Sequence, residues 1–318
     1  MLAFGPIPSR RLGRSLGINN IPAKICSYTC TYCQQGRSSR MQLDRQAFYD
    51  PEELVAEVSA RVKQVLETGE SIDYLSFVPD GEPTLDINLG REIELLRPLG
   101  IKIAVITNCT LLDNKDVRQE LAGADWVSLK VDSTEESAWR KVDRPLRSLS
   151  LDHILESIVT FSREFTGQLV TETMLVQGLN DQPETLEATA HFLAKVKPNP
   201  AYISIPTRPP AEAWAKAPQE DAIHLAYQIF SSHLSRVELL LGYEGNAFSS
   251  SGDAKKDILS ISAVHPLRRD AVQGILQKTG QGWDVIEELV SSDQLVQISF
   301  AGQDYFMRKL YPGYRRPS

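Results

Sequence analysis

Three of the four cysteines fall in one short stretch, Lys24-Ile25-Cys26-Ser27-Tyr28-Thr29-Cys30-Thr31-Tyr32-Cys33, with the spacing C-x3-C-x2-C. Thiolates this close suit a metal centre. A tetrahedral zinc site closes with four ligands, usually in two separated pairs, and no second C-x2-C or histidine pair follows here. A cubane iron–sulfur cluster is held by thiolates, ordinarily four. With Cys26, Cys30 and Cys33 as its protein ligands, one iron is left for something other than protein. The bland alternative is an incidental group of reduced thiols, and it is the weaker one, because the reactivity of cysteine usually decides why it is kept.

The cysteine pattern, with the aromatic Tyr32 between its last two members, resembles the signature of the radical S-adenosylmethionine (SAM) superfamily. The resemblance implies a [4Fe-4S] cluster on Cys26, Cys30 and Cys33. Its open iron would chelate the amino and carboxylate groups of SAM, and reductive cleavage of SAM would yield a 5′-deoxyadenosyl radical. It also implies an electron donor of the reduced flavodoxin or ferredoxin type.

Further candidates lie downstream. Pro79-Asp80-Gly81-Glu82-Pro83 follows an apolar stretch ending at Val78 and is similar to the superfamily's Gly-Gly-Glu motif in a Gly-Glu-Pro variant. A tight turn there would bring backbone carbonyls to the methionine ammonium, a donor-only group, so Gly81, Glu82 and Pro83 are expected to shape that site. Asn108 ends the next strand and is expected to contact SAM. Cys109 stands where related chains usually carry glycine. It reads as a small residue filling that place, or as a thiol near SAM. Ser128, Lys130 and Asp132 alternate with Val127, Leu129 and Val131, so one face of that strand is polar where a parallel barrel strand should be apolar on both. The resemblance assigns Ser128 to the ribose, Lys130 to the methionine carboxylate and Tyr32 to the adenine. A salt bridge between Lys130 and Glu172 on the next strand is the structural alternative, since a buried charge must be paired either way. Thr173 is a further lumen candidate. Arg208, in Pro206-Thr207-Arg208-Pro209-Pro210, has a planar fork suited to a carboxylate or phosphate, or it pins the proline loop.

The elements that must carry these residues alternate along the chain. Asp50-Pro51 predicts a helix cap, with Leu54, Val58, Val62 and Val65 recurring at helical spacing behind it. Strands are predicted over 74–78, 101–107, 126–131, 169–176, 202–205 and 237–241. Helices are predicted over 89–99, 115–122, 151–165, 183–196 and 219–234. Strands alternating with amphipathic helices mean a parallel sheet wrapped by helices. About six βα units are too few for a closed eight-fold barrel, and the resemblance implies a partial (β/α)6 barrel with its chemistry at the C-terminal strand ends. Residues 1–20, rich in Gly, Pro and Arg, read as extended structure entering a first strand.

Tyr243 to Asp253 is rich in small residues and marks a boundary, giving a barrel over 1–245 and a second domain over 253–318. Helical patterns over 258–264, 267–277 and 283–290, then a hairpin over 295–300 and 305–309, give the order of a small winged-helix-like α+β domain. Its third helix carries Asp284, Glu287 and Glu288 with no Lys or Arg between Gly282 and Asp293. A DNA-reading helix is basic, so this domain is expected to hold a peptide or protein substrate or to cap the barrel. Arg268, Arg269, Arg308, Lys309, Arg315 and Arg316 remain available to an acidic partner.

The net charge of −7 argues against a large nucleic-acid footprint. A local basic patch flanks the cysteines nonetheless: Arg10, Arg11, Arg14, Lys24, Arg37, Arg40 and Arg45. No apolar run approaches a membrane span, no signal-peptide pattern opens the chain, and the cysteines do not form a secreted framework, so a cytoplasmic setting is expected. The N-terminal Pro-Ser-Arg-Arg-Leu-Gly, the Tyr-Cys-Gln after the cysteines and the Arg-Pro-Pro segment most resemble radical SAM proteins related to wyosine tRNA-base synthases. The chain departs from those in lacking cysteines for a second cluster. The expected activity is hydrogen abstraction from a peptide, protein or small molecule. Modification of tRNA, and a non-catalytic iron–sulfur or zinc redox sensor, are the alternatives.

Overall fold

A computed structural model describes residues 2–242, 248 and 252–309. Most of the Tyr243–Asp253 segment, and Arg315 and Arg316, lie outside the described residues. The chain opens with a hairpin of β1 (Ala3–Ser9) and β2 (Gly13–Ile18). The cysteine loop follows and holds a small parallel pair, β3 (Ile25–Cys26) and β4 (Arg40–Met41).

Alternation then runs through α1 (Pro51–Glu67), β5 (Tyr74–Phe77), α2 (Leu89–Leu96), β6 (Lys102–Thr107), α3 (Lys115–Leu121) and β7 (Trp126–Lys130). It continues through α4 (Glu136–Val142), α5 (Leu151–Glu164), β8 (Gln168–Met174), α6 (Pro183–Val196), β9 (Ala201–Ser204), α7 (Glu220–His233) and β10 (Val237–Leu240). The sheet order is β1-β2-β5-β6-β7-β8-β9-β10, parallel from β2 onward, with β1 antiparallel at one edge. This is a curled, open α/β half-barrel: six βα units beginning at β2, closed off by β10.

Local chemistry explains the elements. The Asp50 carboxylate accepts a hydrogen bond from Glu53 N at 3.0 Å and Pro51 takes the first turn, so α1 starts where a cap and a preset φ coincide. Leu54, Val58 and Val62 meet Leu75, Phe77, Ile103, Val105, Val127 and Leu129 in one core between helices and sheet. The opposite face of the same strands forms the lumen, where Leu12, Ala104, Trp126, Val170, Tyr202 and Leu240 form a second apolar cluster.

The C-terminal region has its own core. It comprises α8 (Ala254–Val264), β11 (Leu267–Arg268), α9 (Arg269–Thr279), α10 (Asp284–Ser291), β12 (Leu295–Phe300) and β13 (Gln303–Arg308), with the antiparallel order β11-β13-β12. Leu267 and Arg268 belong to a strand paired with Phe306 and Tyr305, not to a helix, which corrects the predicted start at 267. The β12–β13 turn is the two residues Ala301-Gly302, both at positive φ, which matches the twist of a hairpin better than the longer loop the sequence suggested. Among the described residues the C-terminal region meets the half-barrel at several places, among them the Arg61–Asp257 ion pair at 3.9 Å. Ile7 of β1 joins the C-terminal core, and the Tyr305 hydroxyl donates to Thr207 O after β9 at 3.1 Å.

Candidate functional site

One cavity of about 300 Å³ opens at the C-terminal ends of the strands. Cys26, Cys30 and Cys33 all line it, as do Tyr32, Gly81, Glu82, Asn108 and Lys130. Pro83 and Ser128 do not. Pro83 is buried in a short helical turn, where its carbonyl accepts from Asn20 Nδ2 at 3.1 Å. Ser128 sits in the lumen beneath the cavity floor, in register with Ile106, a floor residue. Its hydroxyl is fully buried and has no hydrogen-bond partner.

The cysteine loop and the Gly-Glu-Pro turn are bound to each other through their backbones. Lys24 N donates to Asp80 O at 2.7 Å and Glu82 N donates to Ile25 O at 3.2 Å. A side chain on Gly81 would place its Cβ 1.9 Å from Ile25 O, so only glycine permits this contact. The Glu82 carboxylate serves as a clamp between strand ends. It accepts from Thr84 Oγ1 and Thr107 Oγ1, each at 2.7 Å, and from Asn108 N at 2.7 Å. Burial raises its pKa, and these donors pull in the opposite direction. Asn108 Nδ2 lies 2.8 Å from Ser27 Oγ and 3.5 Å from Cys26 Sγ, so it reaches back to the cysteine loop.

Lys130 is paired with Glu172 at 3.3 Å and lies 3.5 Å from Asp132, with its ammonium 5.0 Å from the Tyr32 ring centroid. The salt bridge considered from sequence is therefore present. Glu172 is also held by Arg11 and by Ser204 Oγ at 3.0 Å, so it keeps partners if Lys130 turns to a ligand. The Tyr32 hydroxyl donates to Asp132, and Cys30 Sγ lies 3.4 Å from Asp143 Oδ1. Asp143 is a site residue that the sequence reading did not name, because nothing in Lys141-Val142-Asp143-Arg144 marks it out. Burial, then the neighbouring Asp132, pushes its carboxyl well above the usual range. Asp80 is raised to about 7 by burial, opposed by Lys24 and by Arg308 of β13. Arg208 lines the cavity and donates to Gln34 at 2.9 Å.

Cys109 is buried outside the cavity lining, with its sulfur 3.7 Å from both Thr107 O and Lys130 O. Its φ of 71° is a glycine-like conformation, which agrees with a small residue in a glycine's place. Among the described residues no three His, Cys, Asp or Glu side chains converge on a single metal ion. Three thiols around one cavity, a glycine cradle beside them and an unpartnered buried hydroxyl under the floor instead fit a polynuclear cluster with a polar ligand against it.

The half-barrel thus opens, at the C-terminal ends of its strands, into a cavity lined by three thiols. A model of the Radical SAM superfamily matches residues 20–193, and the chain belongs to that superfamily. It is 42% identical over 311 residues to UPF0026 protein MJ1312 of Methanocaldococcus jannaschii, covering 97% of this chain and 96% of that protein. It is 36% identical over 208 residues to UPF0026 protein slr1464 of Synechocystis sp., covering 65% and 76%. Among solved structures, TYW1 with a lysine-pyruvate adduct bound shares the fold with a TM-score of 0.55 at 16% identity, covering 70% of this chain and 74% of that one. No helix among the described residues is long and apolar enough to cross a membrane.

Proposed function

We propose that the protein is a SAM-dependent radical enzyme that abstracts hydrogen from a peptide, protein or small-molecule substrate. The observation that carries this reading is the opening of all three loop thiols onto the same cavity as Gly81, Glu82, Asn108 and Lys130. Cys26, Cys30 and Cys33 would hold a [4Fe-4S] cluster and the strand ends would hold SAM, which together supply a 5′-deoxyadenosyl radical when a donor delivers an electron.

The chain's own residues orient and enclose. Gly81 and the carbonyls beside it receive the methionine ammonium, and Lys130, drawn from Glu172, faces the carboxylate. Tyr32 flanks the adenine, Asn108 spans the cysteine loop and β6, and Pro83 shapes the turn from behind. Ser128, which lacks a partner, is the hydroxyl nearest the floor for a ribose contact. Glu172, Arg11 and Ser204 keep the cavity wall charged, paired and rigid.

A nucleic-acid substrate is the less supported reading. The winged-helix-like region presents an acidic α10 where a reading helix would be basic. Anaerobic reconstitution tests the proposal: about four irons per chain and 5′-deoxyadenosine formed with SAM and dithionite are expected. Cluster binding with no SAM cleavage would sink it and leave a redox sensor.

A further inference from the structure

The residues set around SAM in the proposed function use one side of the cavity: they come from the cysteine loop and the ends of β5, β6 and β7. A second wall is built from β8, β9 and β10, the last three strands of the sheet, together with the β1–β2 turn. It offers apolar surface through Met174, Ile205 and Leu240, and three guanidiniums, those of Arg10, Arg11 and Arg208. Among the described residues Glu172 is the one carboxylate on this wall, so it is cationic in a chain whose net charge is −7.

Both sources of these arginines are anchored. β2 runs parallel to β5, so the turn before it lies where the parallel strands begin, and Leu12 enters the lumen from that end to pack with Trp126, Tyr202 and Leu240. Ser9 Oγ accepts from the backbone N of Arg11 and of Leu12, each at 3.3 Å. Gly13 closes the turn at a φ of 63°, and a Cβ there would lie 2.3 Å from Asp73 Oδ2. Arg11 is bound to Glu172, which Lys130 and Ser204 also hold at 3.3 and 3.0 Å, while its neighbour Arg10 is an exposed residue of the same turn. Arg208 sits in the loop after β9, which the Tyr305 hydroxyl ties to the C-terminal region through Thr207 O, and it donates to Gln34 of the cysteine loop at 2.9 Å.

We infer that this second wall is the substrate's side of the cavity and that the substrate is a small molecule carrying an oxyanion, a carboxylate or a phosphate group, which Arg10, Arg11 and Arg208 bind. The inference rests on the proposed function and narrows its substrate class. A cavity of about 300 Å³ is the size of a small-molecule site, so an occupant on this side shares one enclosure with all three arginines. Guanidiniums stay charged at any working pH and present forked donors that match both kinds of anion. Three of them against one carboxylate favour an anion and disfavour a cation. Met174, Ile205 and Leu240 give the rest of the molecule an apolar surface.

Equilibrium dialysis of radiolabelled inorganic phosphate and of radiolabelled succinate against the reconstituted protein, with SAM present and no reductant, tests this. The wild type should bind at least one of the two saturably. Arg10→Gln and Arg208→Gln should each weaken that binding roughly tenfold, with SAM affinity held within about twofold and thermal unfolding unchanged. Arg10→Gln spares the Arg11–Glu172 pair, so it reads the anion site even where Arg208→Gln disturbs its loop. Tighter phosphate than succinate supports a substrate with a phosphate group, and the reverse supports one with a carboxylate. No saturable binding by the wild type, or binding that Arg10→Gln leaves unchanged, means an adventitious ion only and overturns the inference. A parallel loss of SAM affinity overturns it too, by assigning the guanidiniums to the methionine carboxylate. Anion binding that behaves as expected in a wild-type protein forming no 5′-deoxyadenosine with dithionite would instead overturn the proposed function.

Discussion

The two ends of the lumen are built from the same strands and have opposite chemistry. At the lower end Trp126, Ala104, Val170 and Tyr202 pack without charge. Two residues further along the same faces stand Ser128 on β7 and Glu172 on β8, and Lys130 follows on β7. Sheet geometry is the same at both ends, so the difference lies in what the side chains are asked to do. The apolar end holds the barrel together, and the polar end tolerates buried charge because each charge has a partner.

The sharpest test of that division is at the thiols. Alanine at Cys26, Cys30 or Cys33 should each reduce bound iron to near zero and abolish 5′-deoxyadenosine formation, as read by iron assay and product chromatography, with thermal unfolding of the metal-free chain nearly unchanged. At the opposite end Trp126→Ala should cost about 3–5 kcal/mol of stability, measured by denaturant unfolding, while SAM cleavage per folded molecule persists. A floor variant that folds normally but cannot cleave SAM would break the comparison.

An intermediate effect is expected at the polar wall. Lys130→Met should weaken SAM binding by roughly 30-fold, about 2 kcal/mol, if the lysine meets the carboxylate. Unchanged SAM affinity, with only a lower melting temperature, would reduce Lys130 to a structural partner of Glu172.

Buried carboxylates outside the chamber sharpen the contrast, because burial shifts their protonation. Burial raises Asp86 to about 7, and burial with Asp86 nearby raises Glu92 to about 9. Both pKa values lie above those of an unfolded chain, so the folded state keeps protons that the unfolded state has lost. Stability should therefore fall as pH rises from about 4 to 7 through Asp86, and on to about 9 through Glu92, by up to about 1.4 kcal/mol per pH unit for each retained proton. Asp86→Asn should flatten that slope in pH-dependent melting. The smallest effect is expected at Cys109→Gly. Relief of a positive φ, worth roughly 1 kcal/mol, opposes the loss of a buried thiol, so stability should shift by less than about 1 kcal/mol and iron content should hold. Loss of iron there would make Cys109 a ligand.

Much of this division is legible in the residues. The β7 alternation places Lys130 on the lumen face, the Gly-Glu-Pro run marks the turn that meets the cysteine loop, and Asp50-Pro51 announces α1. The glycine-like backbone at Cys109 also follows from its place in the pattern. What escapes is long-range. Asp143 enters the site only because the segment after α4 folds back onto the cysteine loop, and α4 itself is too short for its periodicity to stand out. β11 is a two-residue strand defined by its partner β13, so no local propensity reveals it. The pairing of Glu172 with Arg11 depends on the β1–β2 hairpin closing over the lumen, which a Gly- and Arg-rich stretch does not disclose.

The contact between Gly81 and the Ile25 carbonyl makes the cysteine loop and the Gly-Glu-Pro turn one mechanical part. Cys26 is the next residue along from that carbonyl, and the Glu82 amide is tied to the same oxygen. A displacement at either loop is transmitted to the other with no flexible side chain to absorb it. Occupancy of the thiols and order in the Gly-Glu-Pro turn should therefore rise and fall together, so that on the proposed function the second loop would be fully ordered only once the first is loaded.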